Sequence, residues 1–491
     1  MTAILGSAAF VAGLVVGWPA PYALAVMGVV AVLLRGERWA MVAVLVACAA
    51  AGDLRGSAAL DVVEVSAGNI GPFEGTVVTY ARRSPARQSI EVETDAGLRL
   101  CVQTDRGPML GRGDVVRVDG EAMPLGSYAP SRGAALRAVG CGGTVDATAV
   151  RVVRQGHGWR RWLDDERQSI SEWFAGAVPG DRGALLAGLT VGDDDALSFE
   201  ARQGFFDLGM SHITAVSGSN LALLTWLLLG SGSRRRPFLV DVGTLGLLWG
   251  YVFLAGAGPS TIRAGLTATI CVLVVRTGRR PDLLTVACLV AAGQVAVDPG
   301  LIGSLAYRLS TIAMLVMIST LTGWEGHGWR GKVGSLVACS VAIQLSTLPF
   351  TPDGDQAIVA GIVANCLAAP FVDLAFALGV VAAVVQPVSG SIAAAVATVA
   401  EIPAGLILDV VDLMDGSALA RLRLDFFDTL PRDIVRASLI VGVVLGFGRH
   451  ARRGVEDMVG RTRAMSIDER LIWCACAGGA ILAIAIEVML R

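Results

Sequence analysis

Two kinds of pattern alternate along the chain. Unbroken apolar runs fill residues 3–18, 21–34 and 39–51, and they recur from about residue 183 almost to the end. A helix needs about 20 apolar residues to cross a bilayer, and several runs approach or exceed that length. Residues 53–155 differ: apolar and polar positions there alternate with a period of two, as in half-buried strands. The pattern predicts a polytopic α-helical membrane protein with an inserted extracytoplasmic β domain, a small barrel of OB type.

Five segments follow from it: transmembrane helices over 1–52, the OB-like β domain over 53–155, an amphipathic interfacial helix over 156–180, a transmembrane channel domain over 181–410, and further transmembrane helices over 411–491. In "SIEVETDAGLRLCVQT", Ile90, Val92 and Thr94 alternate with Glu91 and Glu93, and Asp95-Ala96-Gly97 supplies a turn. "GDVVRVDGEA" and "GGTVDATAVRVVRQ" repeat the pattern. In "WRRWLDDERQSISEWFAGAV", Trp159, Trp162, Leu163, Ile170, Trp173 and Phe174 share one helical face. Tryptophan on such a face suits the membrane interface; packing on the β domain is the competing reading.

Basic clusters orient the spans. "RGER", "SRRR", "RTGRR", "WRGK" and "GRHARRG" mark cytoplasmic loops. The β domain and the C-terminus are then expected outside a cytoplasmic (inner) membrane. The first run reads as an anchor, without a cleavage site.

Composition agrees: 54% of residues are hydrophobic and 17% charged, with a mean hydropathy of +0.62. A net charge of -2 excludes a simple polycationic nucleic-acid binder. Of nine cysteines, seven lie in apolar segments, while Cys101 and Cys141 share the β domain. An oxidising compartment would let those two pair; two free thiols are the alternative. OB folds often bind single-stranded nucleic acid, but the β domain has balanced charge and few aromatic side chains for base stacking, which leaves that function open.

Polar residues inside apolar segments carry the functional signal, because polar groups at membrane depth face protein or water. "GMSHITAVSGSNLALL" holds Gly209, His212, Ser217, Gly218 and Asn220 between apolar runs. Such a loosened helix fits a conduit for a polar solute. A Ser217/His212 hydrolase is a second reading, although the G-x-S-x-G elbow is absent and a remote carboxylate such as Asp373 would have to complete the site. Arg263 in "GPSTIRAGL" and Arg308 in "AYRLSTIAML" either act in the membrane or snorkel to its surface. Gln344, Asn365 and Asp373 lie near Pro349 and Pro370, where bent helices are expected. A small polar-solute transporter is a third reading. The acids of "GDDDALS" read as capping residues at a turn rather than a cation site. With four histidines, no HExxH or HxHxDH motif and no Walker A motif, neither metal nor cofactor is expected, nor an enzyme.

The stretch "LLAGLTVGDDDALSFEARQGFFDLGMSHITAVSGSNLALL", followed in order by "PSTIRAGL", "RLSTIAML", "QLSTLPF" and "NCLAAPF", resembles the signature of the ComEC/Rec2 family of natural competence. The resemblance implies a channel that passes single-stranded DNA into the cytoplasm during transformation. It assigns Gly209, His212, Ser217 and Gly218 to a core motif, and Arg263, Gln344, Asn365 and Pro370 to later ones. Asn220 stands where many members have a second histidine, and "AYR", with Arg308, where many have Gly-Phe-Gln. The metallo-β-lactamase-like domain carried by many members has no counterpart motif. The implied partners are DNA, lipid, an outer DNA receptor, a separate nuclease and a cytoplasmic ATPase or helicase.

Overall fold

The computed structural model describes residues 68–421, apart from 84–86, 108, 129–132, 134–135, 137–139, 215, 217, 230–236, 279–280, 299, 302–303, 324–327 and 348–357. The spans expected before residue 52 and beyond residue 421, together with Ser217 and Pro349, lie outside the described residues.

Six strands come first: β1 (Gly68–Val77), β2 (Arg82–Arg83), β3 (Arg87–Thr94), β4 (Arg99–Asp105), β5 (Val115–Pro124) and β6 (Gly143–Arg154). Their order is β1-β5-β6-β4-β3-β2, and β1 also pairs with β3. Leaving out the two-residue β2, the remaining strands close into a barrel in which only β4 and β6 run parallel. This is OB topology. Closure falls at Gly75, which lies opposite Thr94 on β3 and Val116 on β5. A Cβ there would come within 2.7 Å of the Glu93 carbonyl oxygen, so the junction excludes any side chain.

The alternation read from sequence is the burial pattern observed. Ile90, Val92, Leu100, Val102, Val116, Val118 and Val145 fill the barrel core. Burial of each such side chain contributes about 1.5–3 kcal/mol before entropy is counted. Cys101 on β4 is disulfide-bonded to Cys141, just ahead of β6.

Eleven described helices follow: α1 (Trp159–Ala177), α2 (Asp181–Val191), α3 (Phe199–Asp207), α4 (Gly218–Leu229), α5 (Phe238–Leu254), α6 (Pro259–Arg276), α7 (Leu283–Val297), α8 (Leu305–Gly323), α9 (Gly328–Thr347), α10 (Ile358–Val385) and α11 (Gly390–Asp415). Local chemistry sets several starts. Pro259 opens α6, where its missing N–H costs nothing. Ser198 caps α3 through the Ala201 N–H at 3.2 Å, and Asp282 caps α7 through the Leu284 N–H at 3.3 Å. The described residues 68–311 and 367–417 belong to one compact unit, and 312–366 with 418–421 to a second. In the first, α1 packs on α2, α5 and α11, and α6 on α4, α5 and α7. In the second, Val316 and Ala342 form a small core with Ile312 and Ile343.

The buried positions of α1 are Asp164, Arg167 and Phe174, whereas Trp159 and Trp162 are 55% and 59% exposed. The Asp164 carboxylate accepts from the Arg112 backbone N–H at 3.0 Å and pairs with its guanidinium, and Arg161 pairs with Asp114 at 2.7 Å. The helix is thus fastened to the barrel by charge and offers part of its tryptophan face outward. Pro370, where a bend is expected, lies inside α10, which runs as one helix from Ile358 to Val385. Asp409, Asp412 and Asp415 are exposed while Val411 is buried, so α11 continues to Asp415.

Among the described residues, two helical stretches are long and apolar enough to cross a membrane: Val359–Val385, of 27 residues, and Gly390–Asp415, of 26. At 1.5 Å per residue each reaches about 40 Å, past a hydrocarbon core of roughly 30 Å.

Candidate functional site

The signature residues gather around α2. Every residue from Gly183 to Val191 on this helix is buried. A helix ends with carbonyls that no later turn can satisfy, and here side chains from three other helices reach them. Asn220 Nδ2 on α4 donates to the Leu189 carbonyl at 3.4 Å. The Tyr251 hydroxyl on α5 donates to the Thr190 carbonyl at 2.9 Å. Arg167 on α1 donates to the Gly192 carbonyl. Asn220 is 1% exposed.

Beyond α2, the "GDDD" loop joins the helices to the barrel. Asp193 accepts from the Tyr80 hydroxyl at 3.2 Å, and Asp195 accepts from the Arg83 backbone N–H at 2.6 Å. The Arg167 guanidinium lies over the Tyr80 ring, 4.1 Å from its centroid. Burial, then the field of Asp193, pushes the Tyr80 hydroxyl well above its usual range, so it stays a donor. Burial, with Asp193 alongside, raises the Asp195 carboxyl to about 6. The expectation of capping acids is therefore replaced: these acids tie separate elements together, and the cap of α3 is Ser198, itself held by Asp181 through two hydrogen bonds of 2.7 Å. Among the described residues no group of three His, Cys, Asp or Glu side chains is placed to hold a metal ion.

The break expected in "GMSHITAVSG" is present. Helix α3 ends at Asp207, Gly209 turns the chain at φ +67°, and α4 starts at Gly218. The turn is not loose. The Met210 N–H donates to the Phe205 carbonyl at 2.7 Å, and Thr214 Oγ1 donates to Asp194 at 2.8 Å. A Cβ on Gly188 of α2 would collide with the Thr214 carbonyl oxygen, so glycine is what lets the turn lie on α2. His212 sits in this turn with its side chain exposed.

The other sequence candidates are dispersed. Arg263 on α6 is 4% exposed and donates to the Ser310 hydroxyl on α8, whereas Arg308 is exposed. Pro370 and Asp373 are exposed on α10. In the second unit, Gln344 is buried and Asn365 half-buried. Of the sequence candidates, the structure brings Asn220 onto α2, sets Gly209 and His212 in the turn whose Thr214 carbonyl lies against Gly188, and leaves the rest elsewhere.

Residues 189–452 match the competence protein family. The chain belongs to that family. Membership associates it with natural competence, the uptake of DNA for transformation, and with membrane proteins. The chain is similar to ComE operon protein 3 of Bacillus subtilis (strain 168), with 25% identity over 223 residues, covering 44% of this chain and 28% of that protein. No solved structure matches it. The family match begins at Leu189, where the side-chain caps of α2 begin.

Sequence reading missed Tyr80, Arg167, Asp193, Asp194, Thr214 and Tyr251. A signal existed for some of them: three consecutive aspartates followed by a Ser-capped helix exceed what one cap requires. Arg167 and Tyr251 gave none, since each looks like an ordinary member of its helix.

Proposed function

We propose that this competence-family chain forms the polytopic inner-membrane channel that passes single-stranded DNA into the cytoplasm, with the barrel on the outer side, and that it acts as a conduit and not as an enzyme. The observation that carries this reading is the family signature at the buried Gly183–Val191 stretch of α2, with buried Asn220 and Arg263 in largely apolar helices. Polar groups held at such positions suit passage of a polar chain.

A single strand carries about one negative charge per nucleotide, so its path must offset phosphate repulsion without holding the strand. Sparse arginines and helix-end N–H groups do this more gently than a wall of lysines. Passage without sequence preference needs no readout of base edges. With no nucleotide-binding motif in the chain, the pulling force comes from a cytoplasmic ATPase or helicase; a receptor outside delivers DNA and a separate nuclease removes the other strand. Gly209, His212, Ser217 and Gly218 shape the entrance turn in this reading, with Arg308, Gln344, Asn365 and Pro370 farther along. The Ser217/His212 hydrolase has less support, because the G-x-S-x-G elbow is absent from the sequence and Asp373, the carboxylate it would need, is exposed on α10.

The test is import of labelled DNA by cells lacking the gene, complemented with wild type, His212→Ala or Arg263→Ala. Deletion is expected to leave DNA at the envelope and stop its entry. Unchanged import in the deletion strain sinks the proposal.

A further inference from the structure

Most of the buried charges described above meet an opposite charge; Arg167 and Arg263 do not, and of these Arg167 holds a backbone carbonyl and lies over the Tyr80 ring. Asp164 meets Arg112, Asp114 meets Arg161 and Asp241 meets Arg276. Arg263 is 4% exposed, and no described carboxylate lies within ion-pair distance of it. One arm donates to the Ser310 hydroxyl; the other nitrogen, Nη1, is buried without a hydrogen-bond partner. Thr267, one turn further along α6, has a hydroxyl in the same condition. Gln294 on α7 is 6% exposed; its amide nitrogen donates to the Pro259 carbonyl at 3.0 Å, and its Oε1 is also without a partner. Tyr307 closes the group, its hydroxyl donating to the Ala291 carbonyl at 2.8 Å.

A buried charge left alone is costly, and a structural arginine normally spends its arms on carboxylates or carbonyls. An unused guanidinium nitrogen next to hydroxyls is instead the chemistry that receives an oxyanion. The planar fork matches two oxygens of one phosphate, and a hydroxyl can donate a further bond. One fixed positive charge fits one negative charge.

We propose that Arg263, with Ser310 and Thr267, is an internal seat for a single phosphodiester group, filled in turn by successive backbone phosphates of a passing strand. This rests on the channel reading. A seat for one phosphate at a time holds the strand weakly and releases it stepwise.

The test uses the full-length chain in the deletion strain and two labelled single strands of the same sequence, one with a block of uncharged methylphosphonate linkages. Wild type is expected to import the charged strand at least about tenfold faster, following the loss of the phosphate charge. Arg263→Gln, present in the membrane at wild-type level, is expected to lose about tenfold in import of the charged strand and to treat the two strands within about twofold of each other. Arg263→Lys should recover part of both, since it restores the charge without the fork. The seat is overturned by an Arg263→Gln chain that imports at the wild-type rate. It is equally overturned if import falls for both strands while the preference between them persists, which marks a structural role. Inorganic phosphate that slows wild-type import without any preference between the strands marks a site for free phosphate only, and also overturns it. If Arg263→Gln fails to accumulate, Thr267→Val and Ser310→Ala carry the test: weakened strand preference supports the seat, and unchanged preference overturns it. The channel reading has its own separate failure, a deletion strain that imports as well as wild type.

Discussion

The end of α2 and the surroundings of Arg263 are both polar centres within apolar helices, and they are finished differently. At α2, the carbonyls of Leu189, Thr190 and Gly192 each receive a donor from a different helix. Around Arg263, a guanidinium nitrogen, a hydroxyl and an amide oxygen have no partner; beside the capped carbonyls of α2, Arg167 Nε and the Thr190 hydroxyl have none either. Satisfied networks specify and rigidify a fold, while unsatisfied buried groups persist where function keeps them. The main-chain carbonyls at the end of α2 are closed by side-chain donors, whereas the proposed phosphate seat at Arg263 keeps an open donor of its own.

The comparison can be broken most forcefully where α1 is fastened to the barrel. Asp164→Ala leaves the Arg112 guanidinium without its carboxylate and is expected to cost roughly 3–5 kcal/mol, read as a lowered thermal midpoint of the purified chain in lipid nanodiscs. Tyr251→Phe removes the donor to the Thr190 carbonyl; about 1–3 kcal/mol should be lost, with DNA import falling only in step with the amount of folded chain. Arg263→Gln should behave oppositely. Its thermal midpoint stays level or rises by the equivalent of about 1 kcal/mol, because a buried unpaired charge has gone, while import falls. A lowered midpoint there would erase the distinction between the two centres.

The smallest effect is one of pH. Asp195 titrates near 6 in the folded chain, above the ordinary aspartate value of 3.8. The folded state therefore binds more protons than the unfolded chain between those values, and stability falls as pH rises from about 4 through 6. Asp195→Asn should flatten that slope; a slope unchanged by the substitution would show that another group causes it.

The barrel was legible almost residue by residue, because a period of two fixes which side chains face inward: Ile90, Val92, Leu100 and Val102 all point where alternation puts them. The break between α3 and α4 was legible too, from glycines and hydroxyls interrupting apolar runs. The partners of the polar residues were not. Asn220 bonds to a residue 31 positions away and Arg263 to one 47 away, and nothing local encodes a long-range choice. Periodicity grouped the tryptophans of α1 on one face, but it could not show that Asp164 meets a guanidinium on the barrel.

Arg167 stacks on Tyr80 of the barrel and holds the Gly192 carbonyl at the end of α2. One side chain therefore acts as a strut between the barrel and α2. A sideways pull on the barrel reaches the buried end of α2 through it as torque.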